Sequence, residues 1–335
     1  MERTQALRAW LGQLFPAQEW RTEPASADAS FRRYFRVSFA GGGESRIVMD
    51  APPQKEDCRP FIQVAGLLHG AGLNAPQVLA QDLEQGFLLL TDLGSTTYLA
   101  ALQADDSRAD ALFRDAVDAL VSWQLASRPG VLPEYDRALL RRELDLFPDW
   151  YLARHLNLVL EPAQAQVLER MFSLILEDNL AQPQVYVHRD YMPRNLMLSA
   201  PNPGILDFQD AVYGPISYDV ASLVRDAFIS WEEERALDWI VRYWEKARRA
   251  GLPVGPDFGD FYRHLEWMGL QRHLKVLGIF ARINYRDGKP GYLADTPRFV
   301  RYVRAVCGRY NALTPLVHLF DRIENQQAKK GTHSP

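Results

Sequence analysis

A chain of 335 residues is long enough for about two domains and a substantial buried core. Its 38 Lys and Arg stand against 42 Asp and Glu, a net charge of −4 that gives no global basic field, so nucleic acid is not the partner expected on charge. Cys58 and Cys307 lie far apart without a second pair, which predicts neither a disulfide framework nor a zinc site. No run approaches a membrane span and the N-terminus lacks the pattern of a secretory signal, so the expectation is a cytoplasmic protein with no membrane partner.

In chain order, Leu7, Trp10, Leu11 and Leu14 mark an amphipathic start. Residues 31–39 and 44–49 read as two strands joined by the Gly41-Gly42-Gly43 turn. Phe61, Val64, Ala65 and Leu68 give residues 60–69 a helical period, and 78–80 and 87–90 supply further strands before Thr91-Asp92-Leu93-Gly94 breaks the pattern. From there to about Leu180 the spacing predicts helices, broken at Pro129, Pro133, Pro148 and Pro162. Short β-prone runs follow at 185–187, 196–198 and 204–206, and helices resume to about Ile323. Strands first and helices later predict an α+β fold of two lobes: a small β-rich lobe in residues 1–93, a large helical lobe in 94–325, and a disordered tail at 326–335.

The chemistry-bearing stretch is His188-Arg189-Asp190-Tyr191-Met192-Pro193-Arg194-Asn195, followed by Asp207 after Ile205-Leu206. Phosphoryl transfer must place a hydroxyl nucleophile, hold magnesium against phosphates and neutralise charge on the transferring oxygens. In this spacing Asp190 can accept the acceptor's proton, while Asn195 and Asp207 offer hard oxygens to Mg2+. The pattern H-x-D-x-x-x-x-N fits kinase catalytic loops, and all three groups fall at the ends of predicted strands. An isolated H-R-D triplet would be read as a solvated loop; the combination is what points to an ATP-dependent enzyme.

This stretch resembles the aminoglycoside phosphotransferase and choline kinase family, relatives of the protein kinases whose loop usually reads H-G-D-x-x-x-x-N. The likeness extends to Tyr213-Gly214-Pro215-Ile216-Ser217-Tyr218-Asp219-Val220-Ala221, which resembles the family's G-x-P-x-x-D-L-A segment. The resemblance implies a protein-kinase-like fold with ATP between two lobes, His188 and Asp219 as supports of the catalytic loop, and Thr91, Asp92 and Leu93 at the purine edge. By composition alone Asp219 also reads as a plain cap at a helix start.

The phosphate-binding lysine and its glutamate, usual in kinases, are missing: their positions fall at or near Met49 and Phe61, two apolar residues together. Losing both partners is tolerable where losing one would strand a charge. Ser26-Ala27-Asp28-Ala29-Ser30 stands where a glycine-rich loop is expected, so Ser26 and Ser30 are candidates for phosphate oxygens, with Arg32 or Arg33 supplying positive charge. Arginines that simply line a strand are the plain alternative. A non-catalytic nucleotide-binding pseudokinase is the rival these losses raise, against which Asp190, Asn195 and Asp207 stand together.

For the acceptor, residues 262–309 carry ten Lys or Arg against three Asp or Glu. Gln271, Arg272 and Lys275 sit at helical spacing there, which suits an anionic, hydroxyl-rich ligand better than a cationic drug. Trp150 or Tyr151, with Arg154 a turn on, is a second candidate wall, although core packing is the commoner fate of such aromatics. Arg189, Arg194 or Arg32 is the candidate cation beside the transferred group. Within the family, the segments 26–36, 48–53, 143–151 and 271–282 resemble bacterial kinases that phosphorylate amino sugars at the anomeric hydroxyl. That narrower likeness implies an N-acetylated amino sugar as acceptor and a 1-phosphate product used in peptidoglycan recycling; an aminoglycoside or other small-molecule acceptor is the alternative.

Overall fold

A computed structural model describes residues 2–26 and 31–331. Helix α1 (Glu2–Leu14) precedes strands β1 (Trp20–Ser26), β2 (Arg33–Phe39) and β3 (Arg46–Asp50). Helix α2 (Arg59–Gly70) leads to β4 (Val78–Asp82), β5 (Phe87–Thr91), α3 (Tyr98–Ala104) and α4 (Ala109–Leu125). Then come α5 (Arg137–Leu146), a π-helix over Phe147–His155, and α6 (Pro162–Leu180). The short strands β6 (Gln184–Val187), β7 (Leu196–Met197), β8 (Gly204–Ile205) and β9 (Val212–Pro215) follow. The chain ends in α7 (Tyr218–Val224), α8 (Glu233–Arg249), α9 (Phe258–Asp287), α10 (Thr296–Arg309) and α11 (Thr314–Gly331). Helix α11 therefore runs past Gln326, where the sequence reading began a disordered tail; residues 332–335 lie outside the described part.

The chain parts into two compact units, residues 1–126 with 193–211, and 127–192 with 212–335. The first unit carries a five-stranded antiparallel sheet in the order β1-β2-β3-β5-β4. The predicted hairpin is β2 and β3, paired Arg33 to Asp50 and Val37 to Arg46. Leu7, Trp10 and Leu11 of α1 cover the face formed by Val37, Val48, Phe87 and Leu89. That apolar stripe explains why the amphipathic start folds onto the sheet. Met49 is 1% exposed and Phe61 4%, so both apolar replacements are core residues.

In the second unit the thirty-residue helix α9 is the central element, buried along most of its length. At Gly278 it passes so close to the end of α5 that a β-carbon would fall 2.3 Å from the Leu146 backbone, which is why no side chain stands there. The π-helix begins at Phe147-Pro148 and closes with the Leu156 N–H on the Tyr151 carbonyl, a five-residue bond. Pro148 has no N–H to continue the α5 ladder, a local cause for the widened turn. Among the described residues no helix is long and apolar enough to cross a membrane.

Candidate active site

In the second unit, β6 pairs with β9 and delivers the chain to His188. There the backbone bends sharply, with Arg189 in the left-handed region at φ 75°. A non-glycine residue holds that conformation only where its surroundings fix it. Asp219, fully buried in the first turn of α7, does so by accepting the N–H groups of His188 at 2.6 Å and Arg189 at 3.0 Å. His188 is itself buried, its ring edge-on to Tyr191, and its Nδ1 accepts the Asp190 N–H at 3.3 Å. Burial pushes the Asp219 carboxyl up to about 7, against the pull of the two N–H donors; the neighbouring Asp190 charge adds to the rise and Arg272 opposes it.

The Arg189 side chain turns inward rather than toward a phosphate. It meets Glu143 of α5 at 2.5 Å and lies over the Tyr135 ring at 5.6 Å. Glu143, 5% exposed, also accepts from the Tyr135 hydroxyl and from the Lys275 ammonium at 2.9 Å, and Lys275 donates to the Tyr218 hydroxyl at 3.0 Å. Burial would raise the Glu143 carboxyl, but Lys275 and Arg189 together hold it below its ordinary value. Burial would lower Lys275, and Glu143 holds it up. Lys275, expected to face the acceptor, is thus committed to an interior ion pair.

Gln271 is likewise corrected. It is wholly buried, with its amide engaged by Asn179 at 3.0 Å and the Leu140 carbonyl at 2.9 Å, so it ties α6 and α5 to α9. Arg272, 2% exposed, reaches the Arg225 carbonyl at 3.5 Å and the Met192 sulfur at 3.9 Å, which sets it beside the loop two residues past Asp190. Trp150 is half-buried and Arg154 exposed on the π-helix, while Tyr151 stacks on Phe147 in the core.

In the first unit, pairing of Leu196 with Ile205 and Met197 with Gly204 makes a small hairpin of β7 and β8. Gly204 is required there: a β-carbon would lie 2.5 Å from Ser199 Oγ and 2.9 Å from Leu93 Cδ1. The Leu206 N–H on the Asn195 carbonyl at 2.9 Å extends the register. The hairpin therefore brings the Asn195 amide to within 3.4 Å of the Asp207 carboxylate, whose other oxygen accepts from Gln209 at 2.8 Å. Asp207 also takes a left-handed conformation, φ 59°. Among the described residues no group of three or more His, Cys, Asp or Glu gathers to hold a metal. An amide and a carboxylate side by side, both hard oxygen donors, fit an ion that takes its remaining ligands from phosphates and water, as Mg2+ does.

Two arginines competed for the phosphate role. Arg33 lies on Asp50, which also takes Arg3. Arg32 lies on Glu56 at 3.2 Å with both side chains mostly buried, and its guanidinium feels the charge of Asp207. Burial disfavours the charge on Arg32, while Tyr34, Glu56 and Asp207 favour it. Ser26 is the last residue of β1, and the segment 27–30 with Ser30 lies outside the described residues. Thr91 ends β5, its N–H and hydroxyl both bonded to Gln77. The Asp92 carboxylate is taken up by Arg36 at 2.6 Å, Ser45 at 2.6 Å and the Gly94 N–H at 2.9 Å, so it braces the turn that carries Leu93. Arg194 is half-buried in the short 3-10 turn before Asn195.

The fold and the loop define a phosphotransferase of the kinase-like type. The chain belongs to the phosphotransferase enzyme family, whose model matches residues 21–254. It is 56% identical over 327 residues to an N-acetylmuramate/N-acetylglucosamine kinase of Pseudomonas aeruginosa, covering 95% of this chain and 96% of that one. A protein of the same description from Neisseria meningitidis is 51% identical over 321 residues, covering 95% of each. Among solved structures, a choline kinase of Streptococcus pneumoniae matches with a TM-score of 0.64 at 13% identity, over 91% of this chain and all of that one. An ADP-bound aminoglycoside phosphotransferase matches at 0.59 and 13%, over 89% and 97%. These two carry the fold.

Proposed function

We propose that this kinase transfers the γ-phosphate of ATP to O1 of N-acetylmuramate and N-acetylglucosamine, giving the α-1-phosphate that peptidoglycan recycling consumes. The observation that supports this acceptor is the near full-length likeness to kinases described by those two sugars.

In the proposed mechanism Asp190 accepts the proton of the anomeric hydroxyl as O1 bonds to the γ-phosphorus and the bond to the β-phosphate oxygen breaks, releasing ADP. His188 and Asp219 hold the peptide that carries it. Asn195 and Asp207 are the residues that would hold Mg2+, and a bound Mg2+ supplies neutralisation of the phosphate oxygens. Arg32, electrostatically coupled to Asp207 and paired with Glu56, takes over the charge of the absent lysine. The backbone at Asp92 and Leu93 meets the purine. Arg272 faces the lactyl carboxylate of N-acetylmuramate.

Phosphorus NMR of the product from ATP, Mg2+ and N-acetylmuramate tests the reading: an α-anomeric phosphomonoester is expected with wild-type protein and none with Asp190→Asn. Tight nucleotide binding without turnover on either sugar would favour the pseudokinase instead.

A further inference from the structure

The interior ion cluster beneath the catalytic loop has no part in the proposed chemistry as a contact to substrate. Its members come from distant segments: Glu143 from α5, Lys275 from α9, Tyr135 before α5, Tyr218 from α7, and Arg189 from the loop itself. Burying two cations and a carboxylate is costly unless all are matched, and removal of one partner leaves an uncompensated charge in the interior. Helix packing alone does not require it, since well-packed apolar residues serve as well.

What the cluster does is fix Arg189. Asp219 takes the Arg189 N–H and Glu143 takes its guanidinium, so the residue is gripped at both ends while its backbone stays left-handed. The next residue is Asp190. Groups that act electrostatically on Asp190 or its neighbours come from the elements around the loop: Arg189 in the loop, Asp219 and Tyr218 on α7, Lys275 and Arg272 on α9, and Glu143 on α5. Lys275 balances Glu143 for one of its two cations, leaving the cluster with a single net positive charge beside the Asp190 carboxylate.

We propose that Glu143 and Lys275 are positioning residues for the phosphoryl-transfer step: Glu143 clamps the Arg189 side chain and thereby aims Asp190, and Lys275 keeps that clamp charge-balanced. This rests on the reading of Asp190 as the base. The deciding comparison sets Glu143→Gln, Lys275→Met and the double variant against Asn179→Leu, which breaks the buried bond to Gln271 away from the loop.

Because small misplacements of a catalytic group cost about a hundredfold, Glu143→Gln should lower kcat by roughly that factor, with both KM values within about threefold of wild type. Lys275→Met should lower kcat by about tenfold, and the double variant should lose no more than Glu143→Gln alone, the non-additivity of one coupled unit. Asn179→Leu should lower the Tm and leave kcat intact. Hydrogen exchange at the His188 and Arg189 amides, measured without substrate, should quicken in Glu143→Gln beyond any change in global stability and follow global stability alone in Asn179→Leu. Unchanged loop exchange, or effects on kcat that multiply independently in the double variant, overturns the proposal. Should Glu143→Gln not fold, the double variant decides, and a kcat within about twofold of wild type there overturns it. If wild type makes no sugar phosphate while the exchange pattern holds, the sugar-kinase reading fails and the clamp stands.

Discussion

The rings of Phe61 and Phe208 meet with centroids 4.7 Å apart at a tilt of 38°. Phe208 directly follows Asp207, so an aromatic contact from α2 supports the end of the strand that presents this carboxylate. Phe61 and Met49, at or near the positions where kinases usually carry a glutamate and a lysine, are 4% and 1% exposed, so packing stands where an ion pair is usual. Neither residue leaves a charge behind.

It follows that Met49 cannot simply revert. Met49→Lys would bury an ammonium among apolar neighbours and should cost about 3 kcal/mol in urea unfolding, whereas the volume-conserving Met49→Leu should cost less than about 1.5 kcal/mol. Equal costs for the two would mean that the site is not closed to charge.

Arg32 and Arg33 are adjacent in sequence but have different partners: Arg33 opens β2 and Arg32 precedes it. Arg33 answers the buried Asp50 and Arg32 answers Glu56 beside Asp207. Arg32→Leu should raise the KM for ATP and lower kcat by about 10- to 100-fold in kcat/KM, the worth of a charge-assisted bond to phosphate. Arg33→Leu should act on thermal stability and leave kcat/KM for ATP near wild type. Steady-state kinetics with varied ATP separates the two.

The segment 188–195 was legible as a loop because its polar residues sit at the ends of short apolar runs, and those runs are β6, β7 and β8. The edge strand β1 was not: Trp20–Ser26 contains Pro24 and exposed Arg21 and Glu23, a pattern tolerated only at a sheet edge, where one side needs no ladder. The basic excess of residues 262–309 misled for a different reason. Several of its carboxylate partners come from outside the segment: Lys275 pairs with Glu143, Arg263 with Asp178, and Arg309 with Glu233 beside the Glu266 of its own segment. Local charge counting sees only one side of such pairs. The same long separation hides the role of Glu143: the segment 143–151 carries the family likeness, but the two cations that converge on Glu143 come from 46 and 132 residues away.

Arg272 is the remaining cation of that helix with a place near the loop, through Met192. If it meets the lactyl carboxylate, Arg272→Lys should lower kcat/KM for N-acetylmuramate about tenfold more than for N-acetylglucosamine, which lacks the carboxylate; the lysine keeps the charge and loses the planar fork. Equal losses on the two sugars would contradict the contact and leave Arg272 as a counter-charge for Asp226 and Asp219.

Asp219 gives the loop a dependence on pH whose sign is fixed by burial. Its folded pKa, pushed up to about 7, lies above the unfolded value, so the proton is bound more tightly in the folded state. The stabilising contribution is complete below the ordinary carboxylate range and is lost as pH rises through about 7, at about 1.4 kcal/mol per pH unit in between. Asp219→Asn has no such proton, so the stability of wild type measured against this variant should carry the pH dependence of Asp219 alone. The difference between the two proteins in denaturant unfolding should be largest near pH 4, shrink toward pH 7, and stay level above it. A difference that instead grows with pH over that range would mean that the two N–H bonds outweigh burial and keep Asp219 ionised.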